Sequence, residues 1–172
     1  MTFSLSDFLD FSVFIPAGIR EQLTSLRIGE IDARLFLCLR CMPALRYLGT
    51  RISLNYIEDF MKSVPNTERL DLRIFTCAKT DIEEPILSAL SNLSLLSHLV
   101  LFVFPTHFEV SEKSIEQLAN VVSTLQYVGT SYAKYKIHHG ADAKYVNYET
   151  GRHNANELML DTWLALEEWV PC

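Results

Sequence analysis

The side chains that could do covalent or metal chemistry fall in two places. Cys38 and Cys41 make a C-x-x-C pair, and His138, His139 and His153 stand toward the C-terminal end. A closed zinc site needs four ligands, and no second cysteine pair completes the first. Both cysteines lie in the apolar helical stretch RLFLCLRC, where small buried thiols are ordinary core residues. Neighbouring histidines on a strand point to opposite faces, so His138 and His139 cannot both reach one ion, and all three histidines are assigned to turns or surface. No G-x-S-x-G, H-E-x-x-H, phosphate loop or dinucleotide fingerprint occurs. The chain therefore reads as non-enzymatic, with no metal and no cofactor expected.

A third set suits recognition. Arg27, Arg51, Arg69 and Arg73, with Tyr47, Phe102 and Tyr127, belong to the residue types that concentrate binding energy at protein interfaces, and His98 falls among them. They are spread from position 27 to position 127, so a repeated backbone unit is needed to bring them together.

Such a unit is visible in the segment PNTERLDLRIF, residues 65–75, where a proline and a short polar gap lead into a Leu-x-Leu strand. With Thr67, Leu70 and Leu72 as slots one, four and six, the same spacing recurs. It is found at Leu23, Leu26 and Ile28, at Leu45, Leu48 and Thr50, at Leu96, Leu99 and Leu101, and at Leu125, Val128 and Thr130. Successive starts are 22, 22, 29 and 29 residues apart, and twelve of the fifteen slots are apolar. Between strands, Ile57, Phe60, Met61 and Val64 occupy i, i+3, i+4 and i+7, as do Ile115, Leu118, Ala119 and Val122, the stripe of a half-buried helix. TDIE from Thr80 and NANE from Asn154 read as helix N-caps with an acid three residues on. Pro43, Pro65 and Pro105 fall where a helix or strand must stop.

One strand and one helix cannot bury their own apolar faces, whereas stacked copies share a continuous core. The spacing predicts short parallel strands at about 26–28, 48–50, 70–73, 99–103 and 127–130, joined by helical crossovers. Slots four and six face inward, and their neighbours face the other way because strand side chains alternate. The outward set is Ser25, Arg27 and Gly29; Tyr47, Gly49 and Arg51; Arg69, Asp71 and Arg73; His98, Val100 and Phe102; Tyr127, Gly129 and Ser131. Arg51 and Arg73 become neighbours, with uncharged Gly29 on one side and Phe102 at the edge. After the last repeat, YAKYKIHHGADAKYVNYE reads as a hairpin, and NANELMLDTWLALEEWV as a final helix that caps the stack.

MPALRYL and VPNTERLDL, with LSHLVL and LQYVGT as weaker copies, resemble the leucine-rich repeat family, and more narrowly the fungal F-box proteins whose repeats begin P-x-L-x-x-L-x-L. The resemblance covers about residues 19 to 135. It implies an α/β, leucine-rich-repeat-like curved solenoid of about five strand-helix units in a single domain. In that domain 1–18 is the N-terminal cap, 19–131 the repeats, and 132–172 the C-terminal hairpin and capping helix. It also implies the substrate-recognition part of an F-box-like ubiquitin-ligase receptor. No F-box is legible here, so a Skp-type adaptor is expected as a partner only if an F-box exists outside this chain. Three residues after slot six, where the family often has Asn or Cys, stand Ile31, Ser53, Phe75, Phe104 and Ala133.

Composition sets the remaining bounds. A chain of 172 residues that is 49% hydrophobic and 21% charged suits one substantial core. A formal charge of −6 argues against a general affinity for nucleic acid, which needs a basic surface. The N-terminal segment has Asp7 and Asp10 and no Lys or Arg before Arg20, unlike a signal peptide. Cys38, Cys41, Cys77 and Cys172 are too irregularly spread for a disulfide framework, so an intracellular setting, cytoplasm or nucleus, is expected. The uncharged run 85–108 is broken by Ser88, Ser91, Ser94 and Ser97 into an amphipathic helix followed by HLVLFVF, and no membrane span is expected. The expected function is a protein-protein interaction scaffold whose partner is acidic or phosphorylated. The alternatives are a degenerate or truncated repeat fragment without retained activity and, last, an enzyme using the C-terminal histidines with an acid such as Asp142.

Overall fold

The computed structural model describes residues 2–5, 16–31, 33–76, 82–104, 110–130, 133–139 and 144–149. In RLDLRIF, Leu70, Leu72 and Ile74 alternate with charged residues, the pattern of a strand with one buried face. This segment is strand β4 (Arg69–Phe75). Its counterparts are β2 (Ser25–Glu30), β3 (Tyr47–Ser53), β5 (His98–Phe104) and β6 (Tyr127–Thr130), so all five expected strands form and most run a few residues longer than expected. Three further strands are β1 (Thr2–Leu5), β7 (Lys134–His139) and β8 (Lys144–Glu149). The sheet follows chain order from β1 to β8. Strands β1 to β6 are parallel, while β6, β7 and β8 pair antiparallel, which gives the expected hairpin. Within the segment assigned to an N-terminal cap, β1 adds a sixth parallel strand, with Phe3 in register with Leu26 and Leu5 with Ile28, 23 residues earlier.

The helices are α1 (Ala17–Arg20), α2 (Leu35–Arg40), α3 (Ile57–Ser63), α4 (Glu83–Leu90) and α5 (Glu112–Val121). Before each of β2 to β6 the same turn recurs. The slot-one amide donates three residues back, from Leu23 to Arg20, Leu45 to Met42, Thr67 to Val64, Leu96 to Leu93 and Leu125 to Val122. The carbonyl one residue after slot one then accepts two amides from the next unit. Thr24 accepts from Arg46 and Tyr47, Arg46 from Glu68 and Arg69, Glu68 from Ser97 and His98, and Ser97 from Gln126 and Tyr127. The repeat is thus a hydrogen-bonding unit as well as an apolar pattern, and it holds whether units are 22 or 29 residues apart.

All fifteen slots are buried, including the three threonines Thr50, Thr67 and Thr130. Leu26, Leu48, Leu70, Leu99 and Val128 stand in one register row across the sheet. Both predicted helix stripes are buried in the same cluster, Ile57, Phe60, Met61 and Val64 from α3 and Ile115, Leu118, Ala119 and Val122 from α5. The run 85–108 divides as expected, α4 ending at Leu90 and β5 beginning at His98. Among the described residues no helix is long and apolar enough to cross a membrane.

Two local expectations are corrected. The residue before α4 is Ile82, which makes no side-chain cap, while Thr80 and Asn154 lie outside the described residues. A side-chain cap instead begins α5, where Ser111 Oγ accepts the Ser114 amide at 3.1 Å and Glu83 of α4 accepts the Ser111 amide at 3.2 Å. Nor are the cysteines core residues, since Cys38 is half-buried and Cys41 exposed. The buried stripe of this stretch is Phe36, Leu39 and Met42, and each cysteine stands one residue before a stripe position, rotated by roughly 100°.

Candidate functional site

The face of the sheet turned away from the helical core presents four rows, each fixed by strand register. The first is Ser25, Tyr47, Arg69, His98 and Tyr127, and the second is Arg27, Gly49, Asp71, Val100 and Gly129. Arg51, Arg73 and Phe102 form the third, and Ser53, Phe75 and Phe104 the fourth. All eight residues singled out from the sequence, Arg27, Tyr47, Arg51, Arg69, Arg73, His98, Phe102 and Tyr127, therefore lie on neighbouring strands within three rows. Parallel pairing in chain order brings this about, because strands lie about 4.8 Å apart and equivalent positions of successive units become neighbours.

In the first row the Arg69 guanidinium lies over the Tyr47 ring, 5.2 Å from its centroid, and the His98 and Tyr127 rings are 6.1 Å apart. His98 Nδ1 is 2.9 Å from Ser97 Oγ. Burial lowers the proton affinity of His98 below the usual imidazole value, and the Arg69 charge lowers it further.

The second row carries the unusual electrostatics. Asp71 Oδ1 is buried without a hydrogen-bond partner. Burial pushes the Asp71 carboxyl above the usual carboxylate range, against the opposing pull of Arg73 and Arg27. Burial likewise depresses Arg27, with Asp71 raising it and the charges of Arg73 and Arg51 lowering it further. Gly49 stands between Arg27 and Asp71 in the row and has no side chain to separate them, so the two charges sense each other across two strand spacings, about 9.6 Å. Three arginines and one acid are thus coupled on this face.

In the third row Arg51 is exposed and Arg73 half-buried. The ion pairs among the described residues, Arg46 with Glu68 at 3.3 Å and Lys62 with Glu58 at 2.6 Å, involve neither. Two corrections apply here. The register shifts between Arg27 and Glu30, so that Glu30, an acid, pairs with Arg51 where uncharged Gly29 was expected. An extra residue in β2 advances the chain by one step, which a strict period of two cannot anticipate. Phe102, expected as an open edge, is 3% exposed and lies outside the main core cluster, its ring 6.5 Å from that of Phe104.

The fourth row, Ser53, Phe75 and Phe104, lies beyond the strand ends that the spacing predicts. They continue the outward alternation by one more step. Phe75 and Phe104 are 42% and 37% exposed and stack with centroids 5.7 Å apart and planes at 24°. Their signal was the apolar side chain at an outward position of a strand that had not yet ended.

Elsewhere, His139 Nε2 lies 2.6 Å from the Leu125 carbonyl, which ties β7 to the last repeat, and His138 is half-buried. His153, Asp142, Cys77, Cys172, Ser131 and the proposed capping helix lie outside the described residues. Among the described residues no three His, Cys, Asp or Glu side chains converge as a metal site. A hollow of about 150 Å³ between the ends of α2 and α3, lined by Met42, Pro43, Val64 and Pro65 among others, falls below the roughly 300 Å³ of small-molecule pockets. No family model, no curated protein and no solved structure matches this chain.

Proposed function

We propose that the chain is a non-enzymatic protein-interaction scaffold, a leucine-rich-repeat-like curved solenoid whose outward sheet face binds an acidic or phosphorylated protein segment. The observation that carries this reading is the pairing of Arg51 with Arg73 on adjacent strands, with Arg27 and Arg69 on the same face. Guanidinium groups hold carboxylate and phosphate in forked, charge-assisted hydrogen bonds, and two of them one strand apart suit one such group or two successive ones. The basic character is local, because the whole chain carries a formal charge of −6. The scaffold acts inside the cell, in cytoplasm or nucleus. Its place is the recognition part of an F-box-like ubiquitin-ligase receptor, with a Skp-type adaptor bound only through an F-box outside this chain.

The test is a peptide array of acidic, phosphoserine-containing, basic and neutral sequences, probed with the wild type and with an Arg51→Ala, Arg69→Ala, Arg73→Ala triple variant. The wild type should select acidic and phosphorylated peptides, more weakly as salt rises, because exposed charges are screened over about 8 Å at physiological ionic strength. A variant that retains the same selection at the same strength would contradict the reading.

A further inference from the structure

The Phe75–Phe104 stack is not used by a purely electrostatic contact, yet it borders the arginine pair. Arg73 and Phe75 are two residues apart on β4, and Arg51 and Ser53 have the same relation on β3. Side chains two apart on a strand emerge on the same face about 6.6 Å apart. The third and fourth rows therefore place two cations beside an aromatic platform at one fixed offset. An exposed aromatic pair is a costly feature for a soluble surface and a ready contact for another large apolar side chain.

Resting on the binding role proposed above, we infer that the face recognises an extended peptide segment in which an acidic group and a large apolar side chain stand two residues apart. The carboxylate or phosphate sits on Arg51 and Arg73, and the apolar side chain lies on Phe75 and Phe104. An extended ligand has the same two-residue rise as the strands, so both anchors are met together. A spacing of one residue sends the apolar side chain to the opposite side of the ligand. Charge recruits the partner, and the aromatic platform sets which acidic sequences are held.

The experiment uses fluorescence anisotropy with labelled Gly-Ser peptides carrying two anchors. One set has Glu and Phe at spacings of one, two and four residues, in both orders. A second replaces Glu by phosphoserine, to separate carboxylate from phosphate as the preferred source of charge. A third keeps the acid and has Ser for Phe. The wild type should bind the spacing-two peptide about fivefold to tenfold more tightly than the Ser control, a gain in the range of an aromatic contact. Phe75→Ser and Phe104→Ser, both at exposed positions, should each reduce this preference while salt-dependent binding of the acidic controls persists.

Equal binding with and without Phe, or at all spacings, overturns the inference and leaves the acidic-partner reading standing. No binding of any acidic or phosphorylated peptide overturns both. Sedimentation of the free chain supplies the remaining outcome. A wild-type dimer that Phe75→Ser dissociates would assign the platform to a second copy of the chain, against the inference.

Discussion

The two faces of the parallel sheet share one backbone and alternate along every strand, yet they are built to different rules. On the inward face every slot is buried and most are apolar, the slot-four row of Leu26, Leu48, Leu70 and Leu99 being uniform. On the outward face the rows mix charged, aromatic and small side chains, and a repeat such as Arg51 beside Arg73 or Phe75 beside Phe104 spans only two strands. A single row runs from Arg27 through Gly49 and Asp71 to Val100. The inward side chains all do the same task, removal of apolar surface from water, which rewards uniformity. The outward side chains are released from that task, so their variety reflects something other than stacking. Adjacent residues of β4, Leu70 and Asp71, are one step apart in sequence and belong to these two regimes.

Substitutions on β4 can break this comparison, and the largest effect should come from the inward side. Leu70→Ala should cost about 2 to 5 kcal/mol in urea unfolding, from lost burial plus the cavity left behind. A loss below about 0.5 kcal/mol, the level of surface substitutions, would remove Leu70 from the core.

Asp71→Asn should act in the opposite direction. The folded chain holds the Asp71 proton to higher pH than the unfolded chain does, so the associated stability is full below the unfolded value of about 3.9 and is lost as pH rises through the raised folded value. The variant should therefore be more stable than wild type at neutral pH, with the two unfolding midpoints converging as pH falls. An Asn variant less stable at neutral pH would show that Asp71 holds the arginines together at a net gain.

His98 should show a smaller dependence of opposite sign. Its folded value is depressed, so the associated stability is present above about pH 6.5 and is lost as pH falls through the lowered folded value. His98→Gln should flatten the stability profile in that window, and an unchanged profile would mean that the imidazole is freely hydrated.

What could be read beforehand follows the same division. The inward face was readable because its period repeats: three slots recur five times, and Thr50 and Thr130, at slot six, could be placed inward by position despite their hydroxyls. The outward membership of Arg27, Arg51, Arg69 and Arg73 followed from alternation alone. The exceptions are features that no period carries. The extra residue between Arg27 and Glu30 changes register without changing composition, and so puts an acid beside Arg51. Phe102 alternates outward yet is 3% exposed, and alternation assigns a side chain to a face without saying how far that face is covered. Strand ends are set by tertiary pairing, so Phe75 and Phe104 fall just past the ends that the spacing predicts. Strand β1 carries Phe3 and Leu5 in register with slots four and six of β2, and a match on these two positions without slot one is too short to stand out.

The most direct test of the two-face account is to measure stability and binding together on an Arg51→Ala, Arg73→Ala double variant. Unfolding free energy should stay within about 0.5 kcal/mol of wild type, as for surface substitutions. Affinity for an acidic peptide should fall by about tenfold or more, the loss of roughly 1.4 kcal/mol in charge-assisted hydrogen bonds, and its salt dependence should weaken. Unchanged affinity, or a loss of stability as large as that of Leu70→Ala, would contradict the division of the sheet into a face that folds the chain and a face that binds.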